Sequence, residues 1–385
     1  MNTVSLELKA GTLEQETEVL RAEVRRFLEE EIRAGGFVPQ CDSWVRGASA
    51  IFSRKLGARG WLGMTWPKAY GGHERTQQER FVVVEELLAV GAPVAGHWVA
   101  ERQMGLTLLR FGTDSQKREL LPPIARGESV IGACYSEPDV GSDLASVRTR
   151  ASRINGSWRL NGTKVWTSQA HLADHLFVLC RTEECERKHD GLTMLIVPVP
   201  SPGLSIRPIP LLTGEHHFNE VVFQDVEVAD SGVLGEPGAA WKLITAELAI
   251  ERSGPERFLS SLPLLREMVA RAVHDPLDGR AAQEIGQLVA RLRILRSMSI
   301  SVAAAIEEGR NPAIEAAIVK DMGTRFEGDV AEVARMLWPV IPSLGGSDAY
   351  SSLMAQAILH APAFTLRGGA NEILRGIIAR GLRVR

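Results

Sequence analysis

Cysteine is scarce: four in 385 residues, at Cys41, Cys134, Cys180 and Cys185. So few thiols, so far apart, do not staple a small secreted fold, and Cys180 with Cys185 has no second pair at metal-ligand spacing. They read as buried or incidental thiols in a reducing compartment, and the expected location is therefore cytoplasmic. An excess of one charge is also missing, since 44 basic and 47 acidic residues leave a net charge of −3. Without a broad positive field, nucleic acid is not an expected partner. The longest apolar runs are broken by charge well short of ~18 residues, so no membrane insertion is expected. The stretch from Met1 to Thr17, acidic with Lys9 as its single cation, matches neither a signal peptide nor an Arg-rich transit peptide. The nine histidines form no His-Glu-x-x-His pattern, so no metal site is expected. There is no Gly-x-Gly-x-x-Gly after a strand and no Gly-x-Ser-x-Gly elbow, which removes support for a Rossmann nucleotide site or a serine hydrolase.

What is present is an ordinary globular composition, 45% hydrophobic and 24% charged. At ~150 residues per domain the length suggests two to three domains. The hydrophobic period divides the chain into helices, sheet, helices. Residues 1–128 form an N-terminal helical domain, with Leu20, Val24, Phe27, Leu28 and Ile32 on one face of a first helix. Residues 129–237 form a middle β domain, a small antiparallel sheet or barrel. In it, Asn155-Gly156 and Asn161-Gly162 give hairpin-type turn signals. Residues 238–385 form a C-terminal helical bundle of four to five helices. Its first segment runs from Ala239 to Ala272, and Asn311-Pro312 marks a later start as N-cap and first helical residue. The fold class is mainly α with a central β domain.

Four stretches can carry chemistry. Tyr135-Ser-Glu-Pro-Asp-Val-Gly-Ser-Asp143 can point hydroxyls and backbone N–H groups into a cleft, or be a plain loop leading into the sheet. Lys164-Val-Trp-Thr-Ser168 offers a flat aromatic face beside hydroxyls, although on local chemistry alone Trp166 reads better as sheet core. Glu251-Arg252 lies in a helical segment that Pro255, four residues on, must kink, and it is either a site or a surface pair. Arg367-Gly-Gly-Ala-Asn371 reads as a tight loop capping a helix, with or without a ligand against it.

In this order and spacing the chain resembles the acyl-CoA dehydrogenase family of flavoproteins over nearly its whole length. The likeness rests on Trp66-Pro-Lys-Ala-Tyr-Gly-Gly72, Ser136-Glu-Pro…Gly-Ser-Asp143, Trp166-Thr-Ser168, Phe218-Asn-Glu-Val-Val-Phe223 and Glu372-Ile-Leu-Arg-Gly-Ile-Ile-Ala-Arg380. It implies an N-terminal helical domain, a β-barrel-like middle domain and a C-terminal four-helix bundle, with FAD as cofactor. Tyr135, Ser136, Gly141, Ser142, Trp166, Thr167 and Ser168 would bind FAD from the β domain, Trp166 near the flavin and Ser168 at its reactive nitrogen. Gly345, Gly346, Ala370 and Glu372 would complete that site from the C-terminal part. The acyl-CoA substrate would meet Ser142, Arg252, Gly369 and Arg380. The implied partners are an electron-transfer flavoprotein and further subunits, in a homotetramer or a heterotetramer with a homologous chain.

The implied reaction removes hydrogens from Cα and Cβ of the thioester, with a carboxylate taking the weakly acidic α proton. Many members carry that carboxylate in a Tyr-Glu-Gly-Thr pattern, where this chain has Arg367-Gly368-Gly369-Ala370. A second subgroup places it before an arginine in the mid-bundle helix, which Glu251-Arg252 matches, so the resemblance assigns Glu251 as the base. Glycine at 368 suggests room for a branched or bulky acyl group. The usual Gln-x-x-Gly-Gly appears as Ser343-Leu-Gly-Gly346, and no Arg-x-x-Phe-Gly stands near position 280. These departures keep two alternatives open: a subunit of a heteromeric dehydrogenase, and a flavin oxidase or monooxygenase on the same scaffold.

Overall fold

The computed structural model describes the backbone of residues 15–251 and 254–383, and side chains within 15–246 and 254–383. The chain forms two compact units, one of residues 1–47, 75–93 and 249–385, the other of residues 48–74 and 94–248.

The first unit is helical. Helix Gln15–Arg33 buries Leu20, Val24, Phe27 and Leu28 on the face their spacing predicts. That same face carries Arg21, whose guanidinium reaches Glu85 (2.8 Å) and Glu86 on helix Gln77–Ala89. Thr76 and Glu79 close a reciprocal capping box that starts the latter helix. The bundle consists of helices Leu262–His274, Gly279–Glu307, Ala313–Leu337 and Ala349–Phe364, with Asn371–Gly381 packed on Ala313–Leu337. The continuous segment expected from Ala239 to Ala272 is interrupted. A helix ends at Glu251, a short turn of 3-10 helix covers Pro255–Arg257, and the next helix starts at Leu262. Pro255 has no N–H and its ring clashes with a preceding turn, so it breaks the helix outright. Pro312 likewise stands one position before the first helical residue, Ala313, as the N-cap. Met322, periodic with Val319 and Phe326, is nonetheless exposed.

The second unit is an eight-stranded sheet with helices on it. The strands are β1 Ile131–Cys134, β2 Arg150–Ile154, β3 Ser157–Ser168, β4 His175–Arg181, β5 Leu192–Pro198, β6 Leu204–Pro210, β7 His216–Ala229 and β8 Val233–Leu234. Their order is β6-β7-β3-β2-β4-β5-β8, with β1 pairing β4. The sheet is mixed, because β1 and β2 both pair with β4 in parallel. Asn155-Gly156 makes the β2–β3 turn with φ values of 52° and 83°, as the dipeptide predicts. Asn161-Gly162 does not turn the chain. It sits inside β3 at a bulge opposite Asp225, where Asn161 Nδ2 donates to Asp225 Oδ1 at 3.0 Å and Asn161 Oδ1 accepts from the Asp225 backbone N–H at 2.8 Å. Met104, Leu108, Leu121 and Ile124 from the helices meet Phe177, Leu179 and Met194 from the sheet in one core.

Candidate active site

On the sheet unit, two of the predicted stretches are brought side by side. β1 delivers the chain into residues 135–142, and Glu137 and Val140 exchange backbone bonds of 2.9 and 3.0 Å to make a tight turn. Buried Glu137 anchors that turn. Its carboxylate accepts from the backbone N–H of Arg148 (2.7 Å) and Thr149 (2.8 Å) and from the Lys164 ammonium (2.9 Å). Lys164, wholly buried on β3, also donates to the Tyr135 carbonyl at 2.9 Å. Burial alone raises a carboxyl, but the Lys164 charge and the N–H donors outweigh it and hold Glu137 below its ordinary value. Val165 N–H completes the tie by donating to the Ser136 carbonyl at 2.9 Å. Neither Glu137 nor Lys164 was singled out from the sequence. Both lie inside the quoted stretches, yet nothing in their spacing shows that they pair.

The tie positions Tyr135 and Ser136, both half-buried, next to the end of β3. There a second register shift between Lys164 and Thr167 turns Trp166 outward. Trp166 has φ 61°, a conformation that costs a bulky side chain energy, and it is 58% exposed. The sheet-core reading of this residue is therefore overturned: the bulge presents its ring face to the outside. Phe218 supports the ring edge-on, with centroids 5.9 Å apart. Ser168 is half-buried beside it, and its hydroxyl meets His217 Nε2 at 3.0 Å. Thr167 faces the other way. Its side chain is fully buried and its hydroxyl contacts Cys134 Sγ at 3.6 Å, so it offers a ligand no side-chain group at that place. Gly141 and Ser142 are exposed, and a Cβ at Gly141 would meet nothing within 4 Å. An outward aromatic face, two accessible hydroxyl-bearing residues and an open glycine corner suit a flat, polar-edged ring with a phosphate tail.

On the helical unit the other predicted residues lie around three places. Gly345 and Gly346 occupy an exposed turn between Leu337 and Ala349. Gly368, Gly369 and Ala370 form the loop before helix Asn371–Gly381, the two glycines at φ 69° and 94°. Fully buried Lys320 clamps this loop by donating to the carbonyls of Thr365 (3.2 Å) and Gly369 (2.7 Å) and to Asn371 Oδ1 (2.6 Å). Arg367 ties its start to buried Asp42 at 2.6 Å and lies over the Trp44 ring at 4.1 Å. Glu372 is exposed in the first helical turn and Arg380 in the last, so about 12 Å of helix rise separates them. The room that glycine at 368 suggested is filled: a Cβ there would lie 2.7 Å from the guanidinium of Arg257, itself 1% exposed. Glu251 ends its helix, but its side chain and all of Arg252 lie outside the described residues. Among the described residues no group of His, Cys, Asp and Glu is arranged to hold a metal. Cys41, Cys134 and Cys180 are buried, with burial pushing each thiol up to about 12. Only Cys185 of the four is exposed. No described helix is long and apolar enough to cross a membrane.

Three family models match in sequence order: the acyl-CoA dehydrogenase N-terminal domain over residues 14–128, its middle domain over 132–226 and its C-terminal domain over 241–383. The chain is 35% identical over 386 residues to the acyl-CoA dehydrogenase IpdE1 of Mycobacterium tuberculosis, covering 95% of this chain and 97% of that protein. It is 31% identical to IpdE1 of Mycolicibacterium smegmatis, covering 94% and 96%. Among solved structures it superimposes on the Tcur3481-Tcur3483 steroid ACAD with TM-score 0.85 at 29% identity, covering 97% of each chain. It also matches the ChsE4-ChsE5 complex from Mycobacterium tuberculosis with TM-score 0.80 at 28% identity, covering 96% of this chain and 97% of that one. Matched along its length, with a β-sheet region between helical N- and C-terminal regions of the sequence, this chain belongs to the acyl-CoA dehydrogenase family of FAD-dependent oxidoreductases.

Proposed function

We propose that this chain catalyses α,β-dehydrogenation of an acyl-CoA thioester to the 2-enoyl-CoA and that the electrons leave to an electron-transfer flavoprotein. The observation that carries the reading is the outward, left-handed Trp166 with Ser168 beside it on the bulged end of β3. A strained aromatic held in the open is a feature that folding alone does not call for. When bound, FAD supplies a two-electron acceptor for the β hydrogen. The chain's own residues do the rest. Trp166 covers the ring, Ser168 and Tyr135 hold its polar edge, and Ser142 and Gly141 face the phosphate end. Gly345, Gly346, Ala370 and Glu372 contribute from the helical unit, and Gly369, Arg252 and Arg380 meet the substrate. Glu251 takes the α proton.

Anaerobic addition of a panel of acyl-CoA thioesters to the yellow protein should bleach the flavin bands with at least one member. Glu251→Gln should keep FAD and slow the bleaching by at least about a hundredfold, the range of a lost general base. Bleaching at the normal rate by that variant would remove Glu251 from the role.

A second reading concerns assembly and substrate. Two of the matched structures are named as pairs of chains, and one of them as a steroid enzyme. This chain departs from the usual family pattern at Ser343–Gly346 and at Gly368–Ala370. We infer a heteromeric enzyme, formed with a homologous chain, that acts on a bulky, ring-bearing acyl group. A panel in which only short straight-chain thioesters bleach the flavin would sink the substrate half of that inference.

A further inference from the structure

Next to Ser168 lies a histidine that the sequence did not single out. His217, on β7, is 3% exposed, and its ring is bonded at both nitrogens. Gln169 Nε2 meets Nδ1 at 3.0 Å, and Nε2 meets Ser168 Oγ at 3.0 Å. An amide nitrogen has only hydrogens to offer, so Nδ1 accepts and the ring hydrogen sits on Nε2. Nε2–H therefore donates to Ser168 Oγ. A serine oxygen that accepts from one side keeps its own hydrogen for another acceptor.

The surroundings hold this arrangement in place. Gln169, at φ 53°, donates its backbone N–H to the His217 carbonyl at 2.9 Å. Asn219 donates its amide to the Thr167 carbonyl at 3.0 Å and to the His217 carbonyl at 3.2 Å. The Phe218 ring stands edge-on to both His217, with centroids 4.5 Å apart, and Trp166. Every one of these groups belongs to the paired ends of β3 and β7 or to the residue that follows β3.

We propose that His217 is a positioning residue for Ser168: its Nε2–H fixes the serine oxygen as an acceptor and so commits the serine hydrogen to the flavin edge. The proposal rests on the reading of Ser168 as a flavin-contacting residue and adds to it the group that sets the hydroxyl's direction. Its consequence is electronic as well as geometric, because a committed hydrogen-bond donor tunes the bound flavin.

The test compares Ser168→Ala, His217→Leu, His217→Gln and the double variant Ser168→Ala/His217→Leu in the purified FAD-loaded protein. The readouts are the visible spectrum and midpoint potential of the flavin, with kcat and KM for a bleaching thioester. Expected are spectral and potential shifts of the same sign in Ser168→Ala and His217→Leu. A fall in kcat of about tenfold should leave KM little changed. The double variant should be no worse than Ser168→Ala alone. Glutamine, whose amide can reach the Nε2 place, should restore most of the loss. In protein stripped of FAD, NMR of isotope-labelled histidine should find the His217 hydrogen on Nε2.

Ser168→Ala with an unchanged spectrum and rate overturns the reading of Ser168 and this proposal with it. A shift in Ser168→Ala without one in His217→Leu overturns the proposal alone. Additive losses in the double variant, or the ring hydrogen found on Nδ1, do the same. Should the leucine variant not fold, the glutamine variant and the unmodified protein's NMR decide.

Discussion

Glu327 shows at the scale of one residue what burial does to a charge. On helix Ala313–Leu337 it is fully buried, its Oε1 accepting from Ser260 N–H at 2.7 Å while Oε2 finds no hydrogen-bond donor among the described residues. Burial pushes its carboxyl up to about 7; the Arg367 charge and the Ser260 donor oppose that rise, and neighbouring Asp42 adds to it. Between its ordinary value of 4.5 and about 7 the folded chain thus holds a proton that the unfolded chain has released. Stability from this group is full below that window and is lost as pH rises through it. Asp42 works with the opposite sign. Burial opposes its charge, but Arg367 and His360 overcome that and hold it well below 3.8, so its contribution is lost only in acid. Glu327→Gln keeps the acceptor for Ser260 and cannot ionise. The variant should gain on the parent as pH rises from 4.5 to about 7, by up to a few kcal/mol, and keep a constant advantage above that window. Thermal melts from below to above the window check this, and an offset between the two proteins that does not change across it would refute it. Nothing in the local pattern marks this group, because Glu327 follows Phe326 on a helix that also carries exposed Arg325, Glu332 and Arg335. The outward turn of Trp166 and the pairing of His217 with Ser168 were hidden for a related reason. Which way a side chain points at a bulge, and what a lone histidine touches 49 residues away in sequence, are set by strand register and not by local pattern.

At the scale of elements, glycine's meaning depends on what passes nearby. Gly323 and Gly286 both sit inside bundle helices, where alanine is favoured by about 1 kcal/mol. A Cβ at Gly286 would meet nothing within 4 Å, whereas at Gly323 it would lie 2.3 Å from the Arg257 carbonyl oxygen. Gly286→Ala should therefore raise the unfolding free energy by up to about 1 kcal/mol. Gly323→Ala should lower it by about 2 kcal/mol, as overpacking against backbone overrides propensity. Denaturant melts with equal slopes would settle both, and a stabilised Gly323→Ala would mean that the Pro255–Arg257 turn is free to shift. The helices themselves were legible, since a 3.6-residue period and good caps are local signals. The Asn155-Gly156 turn was legible for the same reason. Asn161-Gly162 carries the same two residues and was misread, because its role depends on Asp225 in a strand 64 residues on. The clamp on the 365–371 loop was invisible too: Lys320 reads as one more cation of an amphipathic helix until the loop folds over it.

For the whole molecule the open quantity is how many chains make one enzyme. The family motifs of the β-sheet unit are intact, and the departures cluster in the helical unit at Ser343–Gly346 and Arg367–Ala370. The same unit leaves Ile294, Met336, Ile341 and Leu344 exposed. A second chain would both cover such side chains and complete the altered motifs. If that other chain is a homologue whose own motifs supply what is altered here, FAD retention and assembly rise or fall together. Produced alone, this chain should be FAD-poor and slow with every thioester. Co-produced with its homologous partner, it should purify as a mixed assembly of fixed ratio carrying bound flavin. Native mass spectrometry gives the chain ratio, and visible absorbance gives the flavin per chain. A fully yellow assembly of this chain alone, turning over acyl-CoA at full rate, would show that its helical unit completes the site without help. Position 368 would then be the informative place to change next. Gly368→Ala drives a Cβ into the Arg257 guanidinium, and any shift in thioester preference would report that the arginine borders the acyl group.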